Sequence, residues 1–185
     1  MKIGVLAVQG AFIEHENILT KAGASCVEIR QKSDLAGIDG IVLPGGESTV
    51  QGQLLRKLDL LDPIKERIID GLPTLGTCAG LILMASRIEN DPQVHLGTFP
   101  VTVKRNAYGR QLSSFVTDAP MQHFGTFPMV FIRAPYIAQA GENVEILATV
   151  EDRIVAARYG NQIGLAFHPE LSTDARIHEF FLSLC

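Results

Sequence analysis

The sequence predicts an α/β protein: a flavodoxin-like, open, mostly parallel sheet with helices on both faces and an added antiparallel β section. Three observations predict it. The first half alternates apolar runs with helix-like stretches, the order that builds a parallel sheet. Runs such as "KIGVLAV" are continuously apolar, as strands buried on both faces must be. From about Gly97 to Arg158 the pattern becomes short β-like runs punctuated by Gly, Pro and Asn, which suggests antiparallel strands and hairpins on one side of the sheet.

The elements follow in order. "KIGVLAV" is the first strand. "AFIEHENILTKAG" places Phe12, Ile18, Leu19 and Ala22 at helical spacing, with Gly23 as its C-cap. "SCVEIR" alternates and reads as a second strand. Ile41–Leu43 is a third, ending in Pro44-Gly45-Gly46. Ser48 or Thr49 can cap the next helix, which runs through Leu54, Leu55 and Leu58. A helix over about Pro63–Asp70 leads to the strand "PTLGT" and a helix over Ala79–Ser86. The β-like runs are "FPVTVKR", "SSFVT", "MVFIRA", "VEILATV" and "RIVAAR". "QIGLAFHPE" is a further buried strand, and "TDARIHEFFLSL" a closing amphipathic helix. With no repeat, low-complexity tract or linker, residues 1–185 read as one domain.

Composition narrows the function. Apolar residues make up 46% of the 185 and charged residues 19%, a globular balance. The net charge of −4, with basic residues scattered, argues against nucleic acid as a partner. The apolar N-terminal run is too short for a membrane span and lacks the basic flank and cleavage site of a signal peptide. Three cysteines, Cys26, Cys78 and Cys185, give neither a disulfide framework nor a zinc pattern, so a reducing cytoplasm and no metal site are expected.

Ligands of open α/β sheets bind beyond the carboxyl ends of the strands. "LPGGEST", "LGTCAG" and "AFHPE" all fall at such ends. Cys78 opens a helix directly after a strand, where the helix dipole favours a thiolate. Gly76 and Gly80 permit a crowded turn, making G-T-C-A-G the cysteine form of a nucleophile elbow. A cysteine nucleophile needs a base, and the base an orienting group. In an extended chain His168 and Glu170 point the same way, so Glu170 can hold the imidazole against the thiol. His15, His95, His123 and His178 read as surface or packing residues. Gly45-Gly46 lacks the lysine of a phosphate loop, but Gly46 and Ala79 can supply the two N–H donors of an oxyanion hole.

These motifs resemble the class I, or triad, glutamine amidotransferases. "GVLAVQGAFIEH", "GTCAGLILMA", "HLGTFPVTVKRNAYGRQLSSF", "VFIRAP" and "FHPEL" are similar, within that class, to the glutaminase subunits of pyridoxal 5′-phosphate synthases, nearly end to end. The resemblance implies a Cys78, His168, Glu170 triad that hydrolyses L-glutamine to glutamate and ammonia through a γ-glutamyl thioester. It implies an oxyanion hole at Gly46 and Ala79, and glutamine recognition by Gly46, Glu47, Ser48, Arg105, Ile132 and Arg133. It implies no cofactor of its own. It also implies a (β/α)₈-barrel synthase subunit as partner, which uses the ammonia to make pyridoxal 5′-phosphate. "QGAFIEH", with Gln9 and Gly10, is the expected docking segment. Two glycines make a flip of the Gly45–Gly46 peptide cheap, so the oxyanion hole is expected to be completed by the partner. Another synthase that uses ammonia is the alternative partner.

Overall fold

A computed structural model describes residues 1–105 and 114–185. The "NAYGRQ" part of "HLGTFPVTVKRNAYGRQLSSF" therefore lies outside the described residues.

The first strands form as the apolar runs dictate: β1 (Lys2–Leu6), β2 (Ser25–Ile29), β3 (Gly40–Leu43) and β4 (Thr74–Thr77). Every residue of β3 and β4 is buried. Between them lie α1 (Phe12–Lys21), α2 (Ser48–Lys57) and α3 (Leu61–Ile69). α4 (Ala79–Met84) follows β4 immediately, and α5 (Arg176–Leu182) closes the fold. The later strands are β5 (Ala85–Ile88), β6 (Phe99–Lys104), β7 (Ser114–Met121), β8 (Gly125–Ile132), β9 (Tyr136–Ala140), β10 (Glu145–Val150), β11 (Arg153–Tyr159) and β12 (Gln162–Leu165).

Among the described residues the main sheet has ten strands in the order β2-β1-β3-β4-β12-β11-β9-β6-β5, with β10 paired to β11. The run β2-β1-β3-β4-β12 is parallel throughout. The step from β1 to β2 goes one way along the sheet and that from β3 to β4 the other. Right-handed crossovers therefore put α1 and the α2–α3 pair on opposite faces. β12 comes last in the chain yet lies beside β4, with Leu165 opposite Thr77. That register brings the ends of β3, β4 and β12 together.

Four details differ from the sequence reading. The antiparallel strands β6, β9, β10 and β11 extend the main sheet, and among the described residues only the β7–β8 hairpin forms a separate one. The helix expected over Ala79–Ser86 stops at Met84, because Ala85–Ile88 pairs with β6 as a strand. Ser48 is the first helical residue of α2, so neither it nor Thr49 is the cap; Glu47 holds that place without a side-chain cap bond. Ala22 is the C-cap of α1, and Gly23, at φ +90°, is the left-handed residue just beyond it.

The core runs along both faces of the sheet, with Leu43, Leu75, Leu81, Phe99, Leu165 and Phe167 fully buried. α4 is buried on every side, which sets it deep against the sheet. A Cβ on Gly80 would lie 1.9 Å from the carbonyl oxygen of Leu43, so helix backbone rests directly on strand backbone.

Candidate functional site: a cysteine elbow beside a His–Glu pair

Three strand ends meet at the site. β4 ends at Thr77, and Cys78 turns the chain into α4 at φ 49°, ψ −99°, a conformation that non-glycine residues seldom adopt. Its N–H donates to the Leu165 carbonyl at 2.8 Å, locking the elbow to β12. Gly76 and Gly80 make the turn possible. A Cβ on Gly76 would lie 2.4 Å from the Met84 sulfur and 2.9 Å from the Gly80 carbonyl carbon. The N–H groups of the first turn of α4, beginning with Ala79, lack intrahelical partners and point towards the Cys78 end of the helix.

β12 continues through Ala166 and Phe167 to His168. The His168 N–H donates to the Val130 carbonyl at 2.8 Å, so the β7–β8 hairpin fixes the height of the imidazole. Phe167 packs among Phe127 and Phe131 of that hairpin. Pro169–Leu171 is a short 3₁₀ turn, not the extended continuation expected from the sequence. Glu170 still reaches back: its Oε1 lies 2.6 Å from His168 Nδ1. Nδ1 is thereby engaged, and Nε2 is left for the Cys78 sulfur.

The electrostatics agree with the geometry. Burial opposes a charge on His168, but hydrogen bonds to Cys78 and Glu170, with the attraction of both groups, outweigh it and raise its pKa to about 10. Burial pushes the Glu170 carboxyl up, yet His15 and His168 hold it below the usual range. An imidazolium beside a sulfur is the resting form that a cysteine nucleophile requires.

A cavity of about 500 Å³ opens over the sulfur. Of the residues expected from the sequence, Gln9, Gly10, Gly46, Glu47, Ser48, Cys78, Arg105, Ile132, Arg133 and His168 all line it. Glu170 lies behind His168, and Ala79 begins the helix below. Arg105 donates to Thr49 Oγ1 at 3.1 Å and pairs with Asp91, so its guanidinium is braced at the rim. Arg133 is exposed at the mouth with φ 43°, held at the end of β8.

The Pro44–Glu47 loop is cross-linked to the end of β1. The Ala11 N–H donates to the Gly45 carbonyl at 3.0 Å, which turns the Gly46 N–H of the same trans peptide the other way. Gln9 Oε1 accepts the Glu47 N–H at 2.9 Å. Gln51 donates to the carbonyls of Gln9 and Pro44. The crowding demands glycine: a Cβ on Gly10 would lie 2.0 Å from the Gly45 oxygen, and one on Gly46 2.5 Å from Gln9 Oε1.

The sequence reading missed one part of this site. His15 and His178, taken as surface or packing residues, are wholly buried, His15 at 3.4 Å from Glu170 and His178 at 3.0 Å behind it. The signal was present: His15 shares a helix face with Phe12, Leu19 and Ala22, where an imidazole must find buried partners.

A model of the SNO glutamine amidotransferase family matches residues 5–185. The chain belongs to that family. A relative from Desulfitobacterium hafniense (strain DSM 10664 / DCB-2), named pyridoxal 5′-phosphate synthase subunit PdxT, is 58% identical over 98% of this chain and 92% of its own length. One of the same name from Streptococcus pneumoniae (strain CGSP14) is 51% identical over 100% and 97%. A crystal structure described as a glutamine amidotransferase superposes with a TM-score of 0.94 at 43% identity, covering 98% of this chain and 97% of that one. A second glutamine amidotransferase, from Thermotoga maritima, has a TM-score of 0.65 at 16% identity over 99% and 81%, a likeness of fold. The glutamine amidotransferase fold expected from the sequence is the one found.

Proposed function

We propose that the chain is the glutaminase subunit of a pyridoxal 5′-phosphate synthase, and that Cys78, His168 and Glu170 are its catalytic triad. The observation that carries the triad is the His168 imidazole, held at 2.6 Å by Glu170 and lining the same cavity as Cys78. The Cys78 thiolate attacks the side-chain amide carbon of L-glutamine. The oxygen that gains the negative charge lies against the Ala79 and Gly46 N–H groups. Protonated His168 gives its proton to the leaving nitrogen, and ammonia departs from a γ-glutamyl thioester. Neutral His168 then takes a proton from water, which cleaves the thioester to glutamate and restores the thiolate beside a protonated His168. Glu170 keeps the proton of Nδ1 in place through both steps.

The cavity's polar rim suits the substrate's other end. Arg105 and Arg133 offer cations for the α-carboxylate, and Glu47 an acceptor for the α-ammonium. Gly46, Ser48 and Ile132 complete the wall between them.

Ammonia is protonated in water, so it must pass directly to a synthase subunit, proposed to be a (β/α)₈ barrel, which docks over Gln9 and Gly10. The Ala11 N–H bond to the Gly45 carbonyl ties that docking segment to the peptide that carries one oxyanion donor. Partner binding at Gln9–Ala11 can therefore set that peptide. The test is ammonia release from glutamine, with and without the cognate synthase. Hydrolysis is expected to rise with the synthase and to vanish on Cys78→Ala while the complex still forms. Hydrolysis that survives the substitution refutes the triad, and equal rates with and without the partner refute its role at the oxyanion hole.

A further inference from the structure

We infer that His15 is a positioning residue for the triad: its Nε2–H, fixed in place by the buried His178, holds the outer oxygen of Glu170. This rests on the triad proposed above and deepens it. Glu170 has two carboxylate oxygens, and His168 uses only one. The other, Oε2, is buried and meets no conventional hydrogen-bond donor among the described residues. Its near neighbour is His15 Nε2 at 3.4 Å, in a pair from which solvent is excluded on both sides. An unsatisfied carboxylate oxygen at such depth would be costly, so this contact matters.

The proton position follows from what surrounds each nitrogen. His15 Nε2 lies 3.2 Å from Thr77 Oγ1 as well as 3.4 Å from Glu170 Oε2. A lone pair on Nε2 would face a carboxylate with no water between. The proton therefore sits on Nε2, shared between the Thr77 hydroxyl oxygen and Glu170. Nδ1 must then accept, and His178 Nε2, 3.0 Å away, donates to it. Both imidazoles are kept neutral: burial lowers the pKa of His15, and burial with the neighbouring His15 lowers that of His178 to about 3.

Each partner comes from a different element. His168 approaches Glu170 from the end of β12, Thr77 lies at the end of β4, and His178 projects from α5 behind His15 on α1. Glu14 of α1 also acts on His15 through its charge. α1 starts one residue after the Gln9–Ala11 segment that lines the cavity mouth. Thus the helix that follows the docking segment also supports the back of the triad.

The experiment uses the complex with the synthase and three variants. A glutamine amide nitrogen reaches the place of the imidazole Nε2, whereas an asparagine nitrogen reaches that of Nδ1. His15→Gln keeps a donor towards Glu170; His15→Asn and His15→Leu do not. A hydrogen bond to a charged group is worth enough for a tenfold to hundredfold effect. His15→Asn and His15→Leu should lower kcat by about that range with KM little changed. The acid limb of their pH profiles should move up, because Glu170 loses a donor that favours its charged form. His15→Gln should stay within about threefold of the parent. Equal losses for Gln and Asn, or parental kcat for Leu, overturn the inference. If Leu does not fold, the Gln–Asn comparison decides. Imidazole ¹⁵N shifts of the unaltered protein decide independently, since a His15 proton on Nδ1 overturns it. Hydrolysis by Cys78→Ala would instead refute the triad reading, whatever His15 does.

Discussion

Replacing Gly45 by alanine tests how tightly the imidazole is confined. The φ of Gly45 lies outside the left-handed region, so alanine adds no backbone strain there. Its effect comes from one methyl group. That carbon would stand 2.4 Å from His168 Cε1 and 2.9 Å from Nδ1. Ordinary carbon–carbon contact begins near 3.5 Å, so the ring must retreat by about 1 Å. It cannot do so freely, because Glu170 holds Nδ1 at 2.6 Å and Val130 holds the backbone N–H at 2.8 Å. A misplacement of about 1 Å at a reacting group costs on the order of 100-fold in rate. Gly45→Ala should therefore lower kcat for glutamine hydrolysis in the synthase complex by about that factor. Glutamine binding, measured on a Cys78→Ala background, should change much less. Ammonia release under saturating glutamine reads the first, and calorimetric titration the second. A kcat within about twofold of the parent would show that the imidazole is not confined as described.

Two further outcomes concern stability. Gly80→Ala would set a methyl 1.9 Å from the Leu43 carbonyl oxygen, a clash with backbone that no rotamer relieves. Overpacking of this kind should cost about 1–3 kcal/mol in urea unfolding, and unchanged stability would refute direct contact between α4 and β3. His168 binds its proton more tightly folded than unfolded, so the stability it contributes is full below about 6.5 and is lost as the pH rises through about 10. The parent should thus lose stability over that window, and Glu170→Gln, lacking the carboxylate, should show a flatter profile. Parallel profiles would remove Glu170 as a cause of the shift.

The parallel half of the sheet was legible because β1, β3, β4 and β12 are buried on both faces and their apolar runs show it, while the edge strand β2 shows as an alternation. The grouping of Cys78, His168 and Glu170 was legible for a local reason too: a strained elbow needs small residues around the thiol, and His168 and Glu170 are two residues apart. Non-local pairing hid the rest. Ala85–Ile88 carries helix-compatible residues and becomes a strand only because β6 is there to pair with it. Tyr136–Ala140 likewise takes its form from β6 and β11. His15 and His178 are 163 residues apart, and no local pattern states that their rings meet at 3.0 Å.

The position of β12 between β4 and β11 has a consequence for biogenesis. During synthesis Cys78 leaves the ribosome some 90 residues before His168. Until β12 slots in, no Leu165 carbonyl braces the elbow and no imidazole stands by the sulfur. The nascent thiol thus stands without either, and its surroundings are completed only by one of the longest-range strand pairings among the described residues, a kind of contact that forms slowly.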